Sequence, residues 1–301
     1  MSHIPEAVAE SQPLDAQALD IQHDTDPAED HGPARRIPHL GHAALFFSIA
    51  AFFIFLCLSL GVAIVSSVLH ISTEAVVKDH QLSLLAAQAL AYILTLLISA
   101  WLFPRLWHRS FLHGIQWNVL AAHRRWYWIV PGAVLLSAAA QGATHFIPQP
   151  GKLPIEELMS TPHAAWLTMA FGVLLAPLTE EIAFRGFLLP ALATAYDWLA
   201  LERTPAALQK WENSSMHSTP AVVFAAIFSS VPFALLHAGQ IAHAWGIVGV
   251  LYGVSLTLSY VRVRTHSVAC SALMHATYNF SIFAVIYVYT DGFHHLERLM
   301  R

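Results

Sequence analysis

The chain has 301 residues, of which 56% are hydrophobic and 11% are charged. Soluble domains carry roughly twice that charged share, so the composition excludes an ordinary water-soluble protein and indicates an integral membrane protein. The net charge of −4 is concentrated near the N-terminus, where eight of the 19 acidic residues precede residue 31, and no basic stripe suggests a nucleic-acid partner.

Residues 1–39 are acidic and polar and contain Pro5, Pro13, Pro27, Pro33 and Pro38. Such a segment cannot bury enough apolar surface to order itself, so it is expected to be a disordered tail without a signal peptide. Seven apolar runs then follow, at about 42–69, 82–103, 126–147, 164–190, 220–238, 243–263 and 267–289. Each approaches or exceeds the ~20 residues that a helix needs to cross a bilayer. The runs are continuous rather than alternating, which favours helices over a barrel. The expected fold is an all-α polytopic bundle of seven spans, or eight if a split or re-entrant element lies in the long first run or in "KLPIEELM" (152–159). Residues 40–163 form an N-terminal transmembrane block, and 291–301 a short C-terminal tail.

Trp101, Trp107, Trp117, Trp126, Tyr127 and Trp128 cluster around the second and third runs, as in an aromatic belt. With the N-terminus on the cytoplasmic side, ten Lys and Arg residues fall inside and four outside, which favours that orientation. Cys57 and Cys270 lie in apolar runs and read as small buried hydrophobes.

The fourth run contains "APLTEEIAFRGF" (176–187), and Glu180, Glu181 and Arg185 are charged residues lying inside that run. A charge near the bilayer centre costs roughly 2.5–3.5 kcal/mol on insertion scales. Glu181 and Arg185 stand at i, i+4 with the acid first, the favourable order for an ion pair. Glu180 points about 100° away and has no such partner. Glu181 therefore reads as structural and Glu180 as free to act as a base. The competing reading ends the helix before residue 180 and leaves the charges among headgroups.

In the fifth run, "VPFALLHAG" (231–239) carries Phe233 and His237 on one face beside Pro232. In the seventh, "CSALMHATYNF" (270–280) carries His275 and Asn279 at i, i+4. His145, in the third run, lacks a comparable polar partner. Taken together, a Glu and a His can activate water, while a second His and an Asn can stabilise an oxyanion. Glu180, His237 and His275 are equally an acceptable zinc set with an open position. The residues leave both chemistries open. Counting places Glu180 and His275 at compatible depths, but puts His237 too far out unless its helix starts late or bends at Pro232.

The ordered set Glu180-Glu181-x-x-x-Arg185, Phe233-x-x-x-His237 and His275-x-x-x-Asn279 resembles the CPBP family, also called the Abi or CAAX-protease family, over about residues 164–289. The resemblance implies an intramembrane endopeptidase whose catalytic helices span 164–290, with a lipid bilayer and a peptide or protein substrate as partners. It implies Glu180 with His237 as water activators, His275 with Asn279 as the oxyanion hole, and Glu181, Arg185 and Phe233 as support. The family is often described as metallopeptidase, although a metal-free glutamate mechanism has been proposed for its prenyl-protein enzyme, and metal-free chemistry is the expectation here. Many relatives have Gly before the Ser of the turn preceding the last motif; here His266 precedes Ser267, in what is expected to be a surface turn. The implied location is a bacterial inner membrane, multi-pass, and the implied substrate a CAAX-type or other membrane-proximal peptide. Two readings compete. One is a non-catalytic scaffold or immunity protein that keeps the same fold. The other is a proton-coupled transporter, which the lack of repeated halves disfavours.

Overall fold

The computed structural model describes residues 36–148 and 158–300. The expected disordered tail up to residue 35, and most of the 152–159 segment, lie outside the described residues. Ten helices make up the described chain: α1 (Leu40–Leu69), α2 (Thr73–Asp79), α3 (Gln81–Trp107), α4 (Phe111–Gly114), α5 (Val119–His145), α6 (Pro162–Ala200), α7 (Pro205–Glu212), α8 (Thr219–Leu236), α9 (Trp245–Thr265) and α10 (Val268–Tyr289). Short 3₁₀ turns follow α8 and α10. Where water is absent, backbone polar groups must pair within the segment, and these long apolar runs do so as helices.

Helix starts are written locally. Thr161, Thr204 and Ser218 cap α6, α7 and α8 through their hydroxyls, each with proline at the first or second helical position. Asn118 caps α5 through its side-chain amide oxygen, which accepts from Ala121 N–H.

Among the described residues, six helices are long and apolar enough to cross a membrane: α1, α3, α6, α8, α9 and α10. The sequence led us to expect seven. The third run does become a helix, α5, but this helix carries His123, Arg124, Arg125 and Gln141 and falls short in apolarity. Its buried face is made mostly of small residues, including Ala122, Ala133, Ser137 and Ala140. Small side chains allow close helix approach, and α5 packs closely against α10. Many large apolar side chains point outward: Phe55, Leu60, Ile64, Val68, Leu135 and Leu174 are all exposed, as suits contact with lipid. The interior combines small residues with large aromatics such as Phe46, Phe103, Phe187 and Phe233.

Helix α6 is 39 residues long, about 58 Å at 1.5 Å per residue, which exceeds the ~30 Å hydrocarbon core. It is also interrupted twice, by π-helical segments at Phe171–Leu175 and Ile182–Leu188. Each π segment closes with a bond to the carbonyl five residues back, Ala176 N–H to Phe171 O and Leu189 N–H to Phe184 O. The next residue in both cases is proline, Pro177 and Pro190. Proline has no N–H and crowds the preceding turn, so a widened turn before it is the local solution.

The long C-terminal half of α6 explains the depth of His237. Leu189 and Ala193 of α6 pack with Ala221 and Ala225 near the start of α8. The two helices run antiparallel, and further along Phe184 meets Phe233 edge to face at 5.3 Å. Helix α8 starts at Thr219, so a late start is not the answer. It begins beside the overhanging end of α6, and its own end therefore reaches the level of Glu180. Asp197 braces the overhang. It accepts from Ser218 N–H (3.1 Å) and Ser218 Oγ (2.5 Å), and pairs with Arg36 (3.4 Å) and His217 (3.2 Å). Arg36 also stacks over Trp211 at 3.7 Å. Burial lowers the pKa values of both Arg36 and His217, and the Asp197 carboxylate pulls them back up.

The turn between α9 and α10 differs from expectation by one residue. His266 is exposed, but Ser267 is fully buried. Ser267 Oγ donates to Asn118 O (2.9 Å) and accepts from Asn118 N–H (3.3 Å), docking the turn onto the loop before α5. His266 adopts φ 51°, in the left-handed region. A side chain there costs roughly 1–2 kcal/mol, a cost that glycine avoids. His266→Gly is therefore expected to stabilise the fold by about 1 kcal/mol, read as a higher unfolding temperature in detergent.

Candidate active site

Three helices, α8, α9 and α10, converge on the charged stretch of α6. Glu181 and Arg185 are both fully buried. Arg185 Nη1 donates to Glu181 Oε1 at 2.8 Å, so the pair read from the i, i+4 spacing forms. The same oxygen receives His275 Nδ1 of α10 at 3.0 Å. Arg185 Nη2 donates to Ser255 O (2.7 Å) and Ser255 Oγ (2.8 Å) of α9. The guanidinium lies over the Phe233 ring of α8 at 4.6 Å. Helix α6 runs on to Ala200, with Glu181 and Arg185 inside the bundle, which rules out a helix ending before residue 180.

Glu180 faces elsewhere. Its Oε2 lies 3.9 Å from His237 Nε2 and 3.9 Å from His275 Nε2. Its side chain is 19% exposed and that of His237 21%, whereas His275 is 5% exposed. The site is thus nearly closed, with an opening at Glu180 and His237. At 3.9 Å neither contact is a hydrogen bond, and the gap suits a bridging water. A water about 2.8 Å from both groups would subtend about 90° between them, close to the spread of its own donors.

Tautomers follow from the partners. His237 Nδ1 is 2.8 Å from the carbonyl of Phe233. A carbonyl can accept but not donate, so Nδ1 carries the proton and the neutral ring presents a bare Nε2 to Glu180. This bond exists because α8 ends at Leu236, leaving His237 at the cap. His275 Nδ1 likewise donates to the Glu181 carboxylate. Phe233 fills the space between, with ring centroids 4.9 Å from His237 and 5.7 Å from His275. It supports both imidazoles and Arg185.

Asn279 also contacts α6. Its amide Nδ2 donates to Gly172 O at 2.6 Å, and its hydrogen bond goes to none of Glu180, His237 or His275. Gly172 stands five residues before Pro177, which has no N–H to offer in the π register, so this carbonyl is free for a side chain. One amide hydrogen of Asn279 remains. His145 closes α5, edge to face with Phe146, and is not part of the site. Cys57 and Cys270 are buried and free.

Glu180, His237 and His275 have the donor types of a zinc site, and both Nδ1 atoms are tied off as metal-binding histidines usually are. The spacing does not fit. Tetrahedral donors about 2.0–2.1 Å from zinc lie about 3.3 Å apart, against 3.9 Å here. Among the described residues no group of three His, Cys, Asp or Glu side chains could hold a metal ion.

Two residues of the site escaped sequence reading. Ser255 sits in an apolar helix among other small residues and carries no local signal. Gly172 acts through its backbone, and the only hint was Pro177 five residues later.

Removing one partner of a buried pair strands the other charge. Arg185→Met is expected to destabilise the protein by about 3–5 kcal/mol, and Glu181→Gln combined with Arg185→Met to recover much of that loss, both measured by thermal unfolding in detergent. Equal destabilisation by the single and double variants would contradict the pairing.

Residues 161–281 match a family described as Rce1-like, type II CAAX prenyl endopeptidase Rce1-like. No curated protein and no solved structure matches the chain. The matched segment runs from the start of α6 into α10 and includes every residue of the converging charged and imidazole groups. The match over residues 161–281 of this membrane protein is consistent with the CPBP, or CAAX-protease, family.

Proposed function

We propose that the chain is an intramembrane endopeptidase that hydrolyses a peptide bond near the membrane surface with a water held between Glu180 and His237. The observation that supports this most is the equal 3.9 Å separation of Glu180 Oε2 from His237 Nε2 and His275 Nε2. Two proton acceptors, the Glu180 carboxylate and the bare His237 Nε2, face one gap. A water there directs its hydrogens at them and keeps a lone pair for attack. Attack on a substrate carbonyl transfers a water proton to Glu180 and forms a tetrahedral oxyanion. Cleavage of the C–N bond returns that proton to the leaving amine.

His275 is the proposed oxyanion partner. Its Nδ1–H already serves Glu181, so it donates through Nε2 in the doubly protonated form, and the Glu181 carboxylate beside it supports that charge. The second amide hydrogen of Asn279 is the other proposed donor. The mechanism takes no step through a metal, because the donors are spaced for water. The family description suggests a prenylated CAAX-type peptide as substrate, with other membrane-proximal peptides as the alternative. The N-terminus is proposed to be cytoplasmic and the membrane the bacterial inner membrane.

Purified protein in detergent, assayed against farnesylated and unmodified peptides, tests the proposal. Glu180→Gln and His237→Gln are each expected to lower turnover by about 10²–10⁴-fold, and His275→Gln by about 10²–10³-fold, without loss of folding. A zinc chelator is expected to leave the rate unchanged. Loss of activity with the chelator, restored by zinc, would overturn the metal-free mechanism. Folded wild type that cleaves no peptide would favour a non-catalytic scaffold.

A further inference from the structure

We infer that Ser255 is a positioning residue for His275, acting from α9 through Arg185 and Glu181. This rests on the proposed role of His275, but the geometry stands apart from it. Arg185 Nη2 has both its recorded hydrogen bonds with one residue, the carbonyl and hydroxyl of Ser255, at 2.7 and 2.8 Å. Nη1 donates to Glu181 Oε1 at 2.8 Å, and that oxygen also takes His275 Nδ1 at 3.0 Å. The guanidinium is planar, so fixing Nη2 fixes the direction of Nη1. That sets where Glu181 Oε1 lies, and the oxygen in turn sets the tilt of the His275 ring. Ring tilt decides where Nε2 stands relative to Glu180, now 3.9 Å away. Every group in this chain is buried, with Glu181, Arg185 and Ser255 each at 1% exposure or less, so no bulk solvent replaces a lost contact.

The hydroxyl differs in kind from other buried serines on α9. Ser259, one turn further along, is fully buried, but its Oγ has no hydrogen-bond partner among the described residues. Ser259→Ala is therefore a matched control that removes a buried hydroxyl without touching Arg185.

The test combines a spectroscopic and a kinetic readout on full-length protein in detergent. With ¹⁵N-labelled histidine, the His275 ring signals are assigned by their loss in His275→Gln. Ser255→Ala is expected to shift them, while Ser255→Thr, which keeps the hydroxyl, and Ser259→Ala leave them in place. In the peptide assay Ser255→Ala is expected to lower kcat about tenfold with little change in KM, and Ser255→Thr to retain most of the rate. If Ser255→Ala does not fold, Ser255→Cys, a weaker acceptor of similar size, is expected to give a smaller shift in the same direction. Unchanged His275 signals in the folded Ala or Cys variant overturn the inference, as does an equal shift in Ser259→Ala. A wild type that cleaves no peptide overturns the peptidase reading instead, and the ring signals still decide the role of Ser255.

Discussion

One carboxylate oxygen, Glu181 Oε1, holds the site together. It takes hydrogen bonds from Arg185 within α6 and from His275 on α10, at full burial. Arg185 extends the connection to Ser255 on α9 and lies over Phe233 of α8. Four helices are thus joined through two ionised side chains. Moving such charges out of water costs several kcal/mol per ion, and that cost is offset here by short charge-assisted bonds to more than one partner. A buried ionic network tolerates little displacement, because each group that moves leaves another unpaired. That rigidity is what a catalytic constellation requires of its supports.

Glu180 benefits from the neighbouring arrangement without taking part in it. The adjacent residue on the helix is committed to Arg185, and the 100° step along an α-helix turns Glu180 toward the opposite space. There it meets two imidazoles whose Nδ1 atoms are already engaged, one by the Phe233 carbonyl and one by Glu181. Each ring is therefore locked in orientation, with Nε2 presented to the same carboxylate oxygen. Phe233 contributes in three ways: it stacks near both imidazoles, lies under Arg185 and supplies the carbonyl that sets the His237 tautomer.

Irregular backbone places these groups. Pro177 and Pro190 each follow a π-helical segment of α6, and the first leaves the Gly172 carbonyl free to bind Asn279. The extra length of α6 beyond the site gives α8 a surface to run along, so that a helix of 18 residues ends at the level of Glu180 and not past it. The Asp197 brace at the overhang holds Ser218 at the start of α8, 19 residues before His237, and thereby sets how far the helix reaches.

Much of this was legible in the residues. The membrane class follows from composition, since so few charges cannot solvate a chain this apolar. The helical class follows from continuous runs that must satisfy their own backbone. The Glu181–Arg185 pair follows from local spacing, because i, i+4 neighbours meet on any helix. Other features depended on long-range packing. What the small residues of α5 pack against turns on its neighbours, since they serve contact with α10. Asn279 binds Gly172 because α6 widens beside it, and Ser255 acquires its role only when α9 approaches Arg185. The sequence by itself determined which side chains are costly to bury and how they pair along one helix. The tertiary structure alone decided which helices bring partners across, because contacts between residues 70 or 94 positions apart are set by packing depth and register, which no local spacing encodes.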